Sequence, residues 1–292
     1  MKKLAITIML LLAASCLFGA ERKVDPTWLH RYVPSAPEKP SDITTGSCHY
    51  KPIFGADSSE SRIIRSVARY AEVTVDPNGS CKPVSYPREE QLYYVLSGSG
   101  NLSYGREKAA VRKDDFMYLP PGIEHSMANS SSKPCRFLVM GFKIPSNVSI
   151  PAPPPKLELA NAMDLKEQTV QGHPASTQYL LLFGDGKSDR DRFDSGIVVT
   201  SLFIMDFAPG GTNFPHHHEM QEEIYLVLDG HGDMVAGGGE NGVEGPHSAG
   251  PGDAYFFRLN CTVGFYNQKN GPKAHVIAVR SWYPFEQRHH PH

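Results

Sequence analysis

An internal duplication is the feature that most constrains how this chain can fold. Gly98 follows Gly79 by 19 positions in the first half, and Gly230 follows Gly211 by the same 19 positions in the second half. Three further landmarks occur in the same order in each half: an apolar run, an aspartate, and an asparagine 14 residues after that aspartate. They are 92–96, Asp115 and Asn129 in the first half, and 224–228, Asp253 and Asn267 in the second. Because matched landmarks of this kind mark repeated units, the sequence predicts two copies of one domain.

Each copy is expected to consist of β-strands. Glycine and proline contribute 26 and 24 of the 292 residues, which favours a turn-rich β protein over a helical bundle. Short runs rich in valine, isoleucine, tyrosine and phenylalanine lie between turn residues, a pattern typical of a sandwich or barrel. Only residues 157–171 resemble a helix. With 40% hydrophobic and 21% charged residues, the chain resembles neither a disordered protein nor an integral membrane protein.

The first 20 residues are predicted to be a secretory signal peptide. Lys2 and Lys3 precede an apolar run that is too short to span a bilayer, and small residues follow it. Two processing sites stay open, which are lipidation of Cys16 at a lipobox-like sequence and cleavage near Gly19 or Ala20. We therefore expect an exported protein, periplasmic or extracellular, with a lipid anchor in the first case. A formal charge of −2 offers no basic surplus, so nucleic acid is not an expected partner.

Four cysteines remain after the signal peptide. An oxidising compartment allows disulfides, and Cys48, Cys81 and Cys135 all lie in the first half, whereas Cys261 lies in the second. One bridge among the first three is one interpretation, and buried free thiols are the other.

The second copy carries the side chains that indicate chemistry. Three consecutive histidines, His216 to His218, are followed by Glu223. Since side chains alternate along a strand, His216 and His218 point to one face and His217 to the other. Two imidazoles and a carboxylate bind first-row transition ions and leave coordination positions open for water or substrate. We therefore predict one divalent ion, Mn, Fe, Zn or Ni, held by His216, His218 and Glu223.

This segment resembles the first motif of the cupin superfamily, G-x5-H-x-H-x3-4-E-x6-G. Gly210, His216, His218, Glu223 and Gly230 fit its spacing without adjustment. The resemblance covers both copies and implies an all-β bicupin, two tandem jelly-roll barrels at 61–145 and 179–284. Around them we place an N-terminal arm at 21–60 that lies across the barrels, a proline-rich linker at 146–178 and a tail at 285–292.

Both copies depart from the family pattern. In the first copy, Val84, Tyr86 and Gln91 stand at the positions of the three ligands, and only the histidine of the second motif, His125, is present. In the second copy, Val263 stands where that second motif supplies a fourth ligand. The resemblance thus implies a metal-free first barrel, with His125 as a hydrogen-bonded structural residue, and a second barrel that holds its ion with three protein ligands.

Other polar residues near the motif are candidates for catalysis. Glu219 and Glu222 are expected to be exposed charges at the mouth of the site, with a general base as the alternative role. Tyr225 should share the inward face of Glu223 and line the site. His275, on the last strand, is either a fourth ligand or a packed core histidine.

Two functions of different classes follow from these residues. The first is an exported metalloenzyme that acts on a small polar molecule as a dioxygenase, isomerase, lyase or hydrolase. The second is a non-catalytic cupin that binds a carbohydrate or another small ligand. The chain also distantly resembles ureidoglycine aminohydrolase-type bicupins, although their fourth ligand is a glutamine where this chain has Val263. The sequence leaves the oligomeric state open, a homodimer included.

Overall fold

The computed structural model describes residues 26–55, 60–187, 189–237 and 245–284. The predicted signal peptide with Cys16, the first residues of the arm and the C-terminal tail lie outside this part of the chain. Within it, no helix combines the length and the apolar character needed to cross a membrane. The described residues form two β-barrels of the jelly-roll type, which confirms the all-β fold that the sequence predicts.

The N-terminal barrel follows an arm strand, β1 (Trp28–Tyr32), and a 3₁₀ turn (Val33–Ser35). Its strands are β2 (Cys48–Gly55), β3 (Val67–Val75), β4 (Glu89–Ser97), β5 (Ser99–Tyr104), β6 (Glu107–Arg112), β7 (Asp115–Leu119), β8 (His125–Ala128) and β9 (Cys135–Lys143). One sheet has the order β7-β4-β9-β3-β2 and the other the order β6-β5-β8.

The C-terminal barrel follows a second extra strand, β10 (Glu158–Asn161), and a second 3₁₀ turn (Ala162–Asp164). Its strands are β11 (Thr177–Asp185), β12 (Phe193–Gly196), β13 (Val199–Phe207), β14 (Gln221–Asp229), β15 (Gly232–Gly237), β16 (Gly245–Ala249), β17 (Asp253–Phe257), β18 (Thr262–Asn267) and β19 (Ala274–Trp282). The orders β17-β14-β19-β13-β11-β12 and β16-β15-β18 reproduce the pairing of the first barrel, with β12 added at one edge.

One asparagine per barrel closes the same corner of the fold. Asn129 and Asn267 are the paired landmarks of the sequence repeat, and both are buried. Nδ2 of Asn129 donates to the backbone carbonyls of Val75, Asp76 and Lys133 at 2.7–3.1 Å. Nδ2 of Asn267 donates to those of Phe207, Ala208 and Pro272 at 2.9–3.0 Å. The repeated asparagine therefore ties the end of β3 or β13 to the loop before β9 or β19, a structural role that is the same in both copies.

The segment before each barrel pairs with the other barrel. Strand β1 adds to the edge of β17 with Tyr32 opposite Asp253, and β10 adds to the edge of β7 with Asn161 opposite Asp115. In each case the first barrel strand, β2 or β11, begins 16 residues after the exchanged strand ends. The duplicated unit therefore includes part of the predicted arm and of the predicted linker, and β2 itself lies within the predicted arm.

The helix predicted at 157–171 does not form. Residues Glu158–Asn161 are β10, and Ala162–Asp164 make a single 3₁₀ turn. Leu157 and Leu159 are two positions apart, which is the period of a strand, and both pack against the core of the N-terminal barrel. The open edge of β7 pairs the backbone of this segment, so tertiary contacts decided its structure.

Hydrophobic residues form one core inside each barrel and a third between the barrels. In the shared core, the rings of Phe54 and Phe256 have centroids 6.0 Å apart, and those of Tyr118 and Phe183 are 4.7 Å apart. Because each of these pairs joins one barrel to the other, the two barrels pack as one unit.

A buried carboxylate from each barrel caps backbone amides of the other. The Glu90 carboxylate accepts hydrogen bonds at 2.6–2.9 Å from the backbone N–H groups of 197–199. Glu222, at the matching position of the repeat, accepts them at 2.7–3.2 Å from Arg65 and Ser66. Burial raises the pKa of both carboxyl groups. Glu222 is 1% exposed, so the expectation that it is an exposed charge at the mouth of the site is wrong.

Two of the cysteines form a disulfide. The bridge joins Cys48, at the start of β2, to Cys81, in the loop after β3, with Cα atoms 5.1 Å apart. Cys135 and Cys261 are buried free thiols. The predicted bridge in the first half is therefore present between Cys48 and Cys81, and the predicted buried free thiols are Cys135 and Cys261.

Replacing Glu90 with alanine should destabilise the contact between the barrels. The change leaves three backbone N–H groups without their acceptor, and each unsatisfied buried donor costs about 1–3 kcal/mol. We expect the free energy of unfolding, measured by urea denaturation, to fall by about 3 kcal/mol or more. Glu107→Ala, at an exposed glutamate of β6, is the matched control. Equal denaturation midpoints for the two variants would contradict the capping role.

Candidate metal centre

The loop between β13 and β14 carries the histidines across the open end of the C-terminal barrel. His216 pairs through its backbone N–H and C=O with Val263, at 2.9 and 2.8 Å. The carbonyl of His218 accepts a hydrogen bond from the backbone N–H of Asn260 at 2.9 Å. Glu223 follows on β14. Backbone pairing thus holds both histidines on an extended segment beside the strand that carries the glutamate.

The structure brings His216, His218 and Glu223 together. One ligand atom from each residue lies within 4.8 Å of the other two. Nε2 of His218 lies 3.3 Å from Oε2 of Glu223, and the ring centroids of the two histidines are 5.0 Å apart. His217 and Glu219 are exposed. The three residues selected by sequence spacing therefore form one group of potential ligands.

The backbone carbonyl of Phe214 sets the orientation of His216. This oxygen lies 2.8 Å from Nδ1 of His216. Because a carbonyl can only accept, the proton is on Nδ1 and the lone pair is on Nε2, as in a metal-binding histidine. Phe214 adopts a left-handed backbone conformation with φ of 53°, although its side chain is exposed. The strained backbone aims the carbonyl at His216.

The polar atoms of this group lack the partners that burial requires. Nε2 of His218 and both carboxylate oxygens of Glu223 are buried, and they make no hydrogen bond to the described residues. Burial disfavours the charged form of Glu223, but His218, Arg280 and His216 outweigh it and hold the pKa of Glu223 below its usual range. An ionised carboxylate that accepts no hydrogen bond needs a positive partner close by. The residues present therefore fit a bound cation.

A cavity of about 350 Å³ opens beside the three residues. Tyr225 lines it, as predicted, and accepts a hydrogen bond from Nδ2 of Asn213 at 3.0 Å. The hydroxyl of Tyr179 also faces the cavity and is buried without a partner among the described residues. Arg280 lines the same space and donates from Nη2 to Oγ of Ser201 at 3.2 Å. The cavity thus offers an unused hydroxyl donor and a guanidinium group.

Sequence analysis missed most of the residues that line this cavity, among them Tyr179, Arg280 and His173. Tyr179 on β11 matches Tyr50 on β2 in the structural repeat, so an alignment extended into the arm would have indicated an inward aromatic residue at both positions. No sequence pattern points to Arg280 or His173, because both reach the cavity from segments remote from the histidine motif.

The structure does not bring His275 to this cavity. Its Nε2 lies 3.5 Å from Oδ2 of Asp206, and the residue lines a separate groove of about 590 Å³ between the barrels. Since His275 and Arg280 are an odd number of positions apart on β19, alternation places them on opposite faces. With its side chain 39% exposed, His275 is neither placed as a fourth ligand nor packed in a core.

The N-terminal barrel fills the equivalent space with its own side chains. His125 is buried, and its ring nitrogens lie 2.9 Å from the carbonyl oxygen of Ile123 and 3.1 Å from Oε1 of Gln91. Burial lowers the pKa of His125. These contacts engage both ring nitrogens, which agrees with the structural role predicted for this residue.

An arginine provides a positive charge inside the N-terminal barrel. Nε of Arg69 lies 2.8 Å from Oε1 of Glu89, and Nη1 lies 3.0 Å from Oδ1 of Asp42. The guanidinium carbon lies 4.2 Å from the ring centroid of Tyr86, which the repeat places at the position of His218. In the N-terminal barrel, the guanidinium of Arg69 therefore provides the positive charge beside the positions that match His216, His218 and Glu223.

The fold and the site together define a cupin with two barrels. The cupin domain family matches residues 71–141 and 203–280, one region in each barrel and about half of the chain. The chain therefore belongs to the cupin family and is a bicupin. An uncharacterized protein of Methanocaldococcus jannaschii is 34% identical over 53 residues, which are 18% of this chain and 42% of that protein. The chain thus matches less than half of this relative's length.

Solved structures share the two-barrel fold at low sequence identity. The protein Ylba from E. coli has a TM-score of 0.66 at 16% identity, with 92% of this chain and 97% of that chain covered. A protein of Pseudomonas aeruginosa described as glyoxylate-induced has the same score and identity, with 93% and 94% covered. Oxalate decarboxylase from Lactobacillus farciminis, solved with formate, has a TM-score of 0.64 at 12% identity, with 90% and 88% covered. This likeness concerns the fold alone.

Changing Phe214 to valine should disturb the site more than changing it to glycine. A β-branched residue held at a left-handed φ costs about 1–3 kcal/mol, whereas glycine adopts this conformation freely. We expect the valine variant to have the lower thermal unfolding midpoint and to lose the Nδ1 proton signal of His216 in nitrogen-detected NMR. A glycine variant that is less stable than the valine variant would contradict this account of the backbone.

Proposed function

We propose that the C-terminal barrel is a metalloenzyme site in which His216, His218 and Glu223 hold one divalent transition ion, Mn, Fe, Zn or Ni. The observation that carries the proposal is the burial of Nε2 of His218 and of both Glu223 oxygens without hydrogen-bond partners among the described residues. Two imidazoles and one carboxylate are ligands that these ions accept. Arg280 Nε lies 3.7 Å from Oε1 of Glu223 and offsets part of its charge, but neither carboxylate oxygen accepts a hydrogen bond from the described residues, so a bound cation would supply the close partner that this buried carboxylate lacks.

Each ligand has a separate role in this proposal. His216 presents Nε2 because the carbonyl of Phe214 holds the proton on Nδ1. Glu223 contributes the negative charge, and Arg280, with Nε 3.7 Å from Oε1 of Glu223, orients this carboxylate from the cavity side. A bound divalent ion supplies Lewis-acid polarisation of a substrate oxygen or activation of a bound water.

The cavity beside the ligands supports a small polar substrate. Its volume of about 350 Å³ lies at the lower end of ligand-binding cavities, which are about 300–1,000 Å³. The unpartnered hydroxyl of Tyr179 and the guanidinium of Arg280 both donate hydrogen bonds, so a substrate with acceptor oxygens would satisfy them. Tyr225 is held by Asn213 and forms the wall behind Glu223.

The reaction belongs to one of four classes, which are dioxygenase, isomerase, lyase and hydrolase. The lyase class is the first to examine, because one protein of similar fold is an oxalate decarboxylase. In any of the four, Tyr179 and Arg280 would bind and orient the substrate. Glu222 does not act as the base in this proposal, because its carboxylate is committed to the backbone of the N-terminal barrel.

A second function, binding of a small ligand without turnover, is favoured by one observation. Val263 stands at the position of the second-motif histidine, and its buried side chain offers no ligand. A barrel that binds a carbohydrate or another small molecule needs the cavity but not the full ligand set. This function predicts binding to the cavity without any conversion of the bound molecule.

Removing His216 should abolish metal binding. The untagged protein should contain one divalent ion per chain by elemental analysis, and His216→Ala should retain less than a tenth of it, because one of two imidazole ligands is lost. His217→Ala, at the exposed neighbour, is the matched control and should retain the ion. Loss of turnover on a screened substrate in His216→Ala would support the enzyme. Metal-free wild-type protein, or equal metal in both variants, would contradict the proposal.

We also propose that the protein is exported. The charged and apolar pattern of residues 1–20 supports this, and the disulfide between Cys48 and Cys81 is compatible with an oxidising compartment. Mass spectrometry of protein from a bacterial host should find the mature N-terminus at a lipidated Cys16 or near Gly19 or Ala20. Recovery of the intact N-terminus with free thiols at both bridge positions would contradict export.

A further inference from the structure

His173 is an additional imidazole at the candidate metal site. It lies in the turn before β11, outside the histidine motif, and lines the same cavity as His216 and Glu223. Its ring centroid is 5.2 Å from that of His216 in a T-shaped arrangement, and 5.5 Å from that of Tyr179. The segment between the barrels therefore reaches the site of the second barrel.

A backbone carbonyl fixes the tautomer of His173. Nδ1 of this residue lies 2.7 Å from the carbonyl oxygen of Asn213, so the proton is on Nδ1 and the lone pair is on Nε2. Asn213 is 1% exposed, and its side chain donates to the hydroxyl of Tyr225. The carbonyl of Phe214 orients His216 in the same way. A carbonyl at Nδ1 is the usual support of a metal-binding histidine.

The spacing of the rings suits a shared ion. Two imidazoles on one tetrahedral ion have centroids about 5 Å apart, because metal–nitrogen bonds are about 2.0–2.1 Å long. The observed separations are 5.2 Å from His173 to His216 and 5.0 Å from His216 to His218. Among the described residues, the ligand atoms of His216, His218 and Glu223 lie within 4.8 Å of one another, and His173 is not part of this group. Ligation by His173 therefore requires its turn to move towards the other three residues. Residues 171–172 of this turn are exposed, whereas Val170 before them packs on the core of the C-terminal barrel, so the shift would be confined to the tip of the turn.

The N-terminal barrel uses the matching segment in a comparable way. Cys48 and Thr177 begin the matching strands β2 and β11, so the residues just before them correspond. In the N-terminal barrel this segment supplies Asp42, whose carboxylate lies 3.0 Å from Nη1 of Arg69. In the C-terminal barrel it supplies His173. Asp42 lies six positions before β2 and His173 four positions before β11, so the two barrels use the same segment, but not the same position, to bring a polar side chain to this end of the barrel.

We propose that His173 is the fourth protein ligand of the C-terminal barrel, in place of the second-motif histidine whose position Val263 occupies. This inference rests on the proposed function. It gives a coordination sphere of three imidazole nitrogens and one carboxylate, with the turn that carries His173 closing over the ion. Metal binding is thereby coupled to the linker, and not only to the barrel.

Counting bound imidazoles tests the inference without any activity assay. Cu(II) is the probe, because electron spin-echo spectroscopy resolves the imidazoles bound to it. Every protein carries His289→Gln, His290→Gln and His292→Gln, so that these three side chains contribute no nitrogen. At one equivalent of Cu(II), the protein with all site residues intact should show three imidazoles, His173→Ala two, and the control His217→Ala three.

Zn(II) affinity provides a second readout. His173→Ala should bind Zn(II) at least about 10-fold more weakly, and free imidazole added to this variant should restore part of the affinity. His173→Gln can keep the hydrogen bond to the carbonyl of Asn213 but lacks the imidazole nitrogen that would bind the ion. Weaker Zn(II) binding in this variant would therefore reflect loss of the ligand and not loss of support for the turn.

The possible failures are distinguishable. Two imidazoles in the protein with His173 intact, or unchanged Zn(II) affinity in both His173 variants, would overturn this inference alone. If the intact protein binds no ion at one equivalent, or if His216→Ala binds as tightly as wild type, the proposed function fails as well.

Discussion

The two barrels are held together by buried carboxylates that accept backbone hydrogen bonds from the opposite barrel. Glu90 is buried against the backbone N–H groups of residues 197–199, and Glu222 is buried against those of Arg65 and Ser66. A buried carboxylate is stable only with such hydrogen bonds, so neither barrel is complete alone. Exchange of β1 and β10 and the shared hydrophobic core act across the same contact. Glu222 neighbours Glu223, the proposed ligand, and this contact therefore also fixes the strand on which the candidate metal centre is built.

Duplication has given the two barrels the same frame and different interiors. In the N-terminal barrel, Arg69 provides the positive charge next to Tyr86, and His125 is bonded to Gln91. In the C-terminal barrel, His216, His218 and Glu223 stand at the positions of Val84, Tyr86 and Gln91, and Nε2 of His218 and both Glu223 oxygens are buried without hydrogen-bond partners among the described residues. One barrel thus neutralises its own polar interior, and the other is suited to a cation from solution. This difference is the basis for proposing the C-terminal barrel, and not the N-terminal barrel, as the metal site.

Sequence reasoning located the residues whose proximity depends on short spacing, and it failed for residues placed by contacts between distant segments. The spacing of His216, His218 and Glu223 predicted a group of three, because alternation along an extended segment is a local property. The helical interpretation of 157–171 failed because the open edge of β7 recruits that segment as a strand. Glu222 was expected in solvent, but its amide partners lie more than 150 positions away. His173, Tyr179 and Arg280 reach the cavity only through folding.

The sequence by itself determined the duplication, the β class, the cupin motif of the second copy and the replacement of that motif's His and Glu residues in the first copy. These follow from residue identity and from short-range periodicity, which need no knowledge of the rest of the chain. Tertiary structure alone decided which cysteines pair, which barrel each arm strand joins, where the acidic neighbour of Glu223 points, and which side chains from other strands surround the ligands. These features depend on which distant segments meet in the folded chain. The open strand edges, unpaired backbone N–H groups and cavities that stabilise such contacts exist only once the barrels have formed.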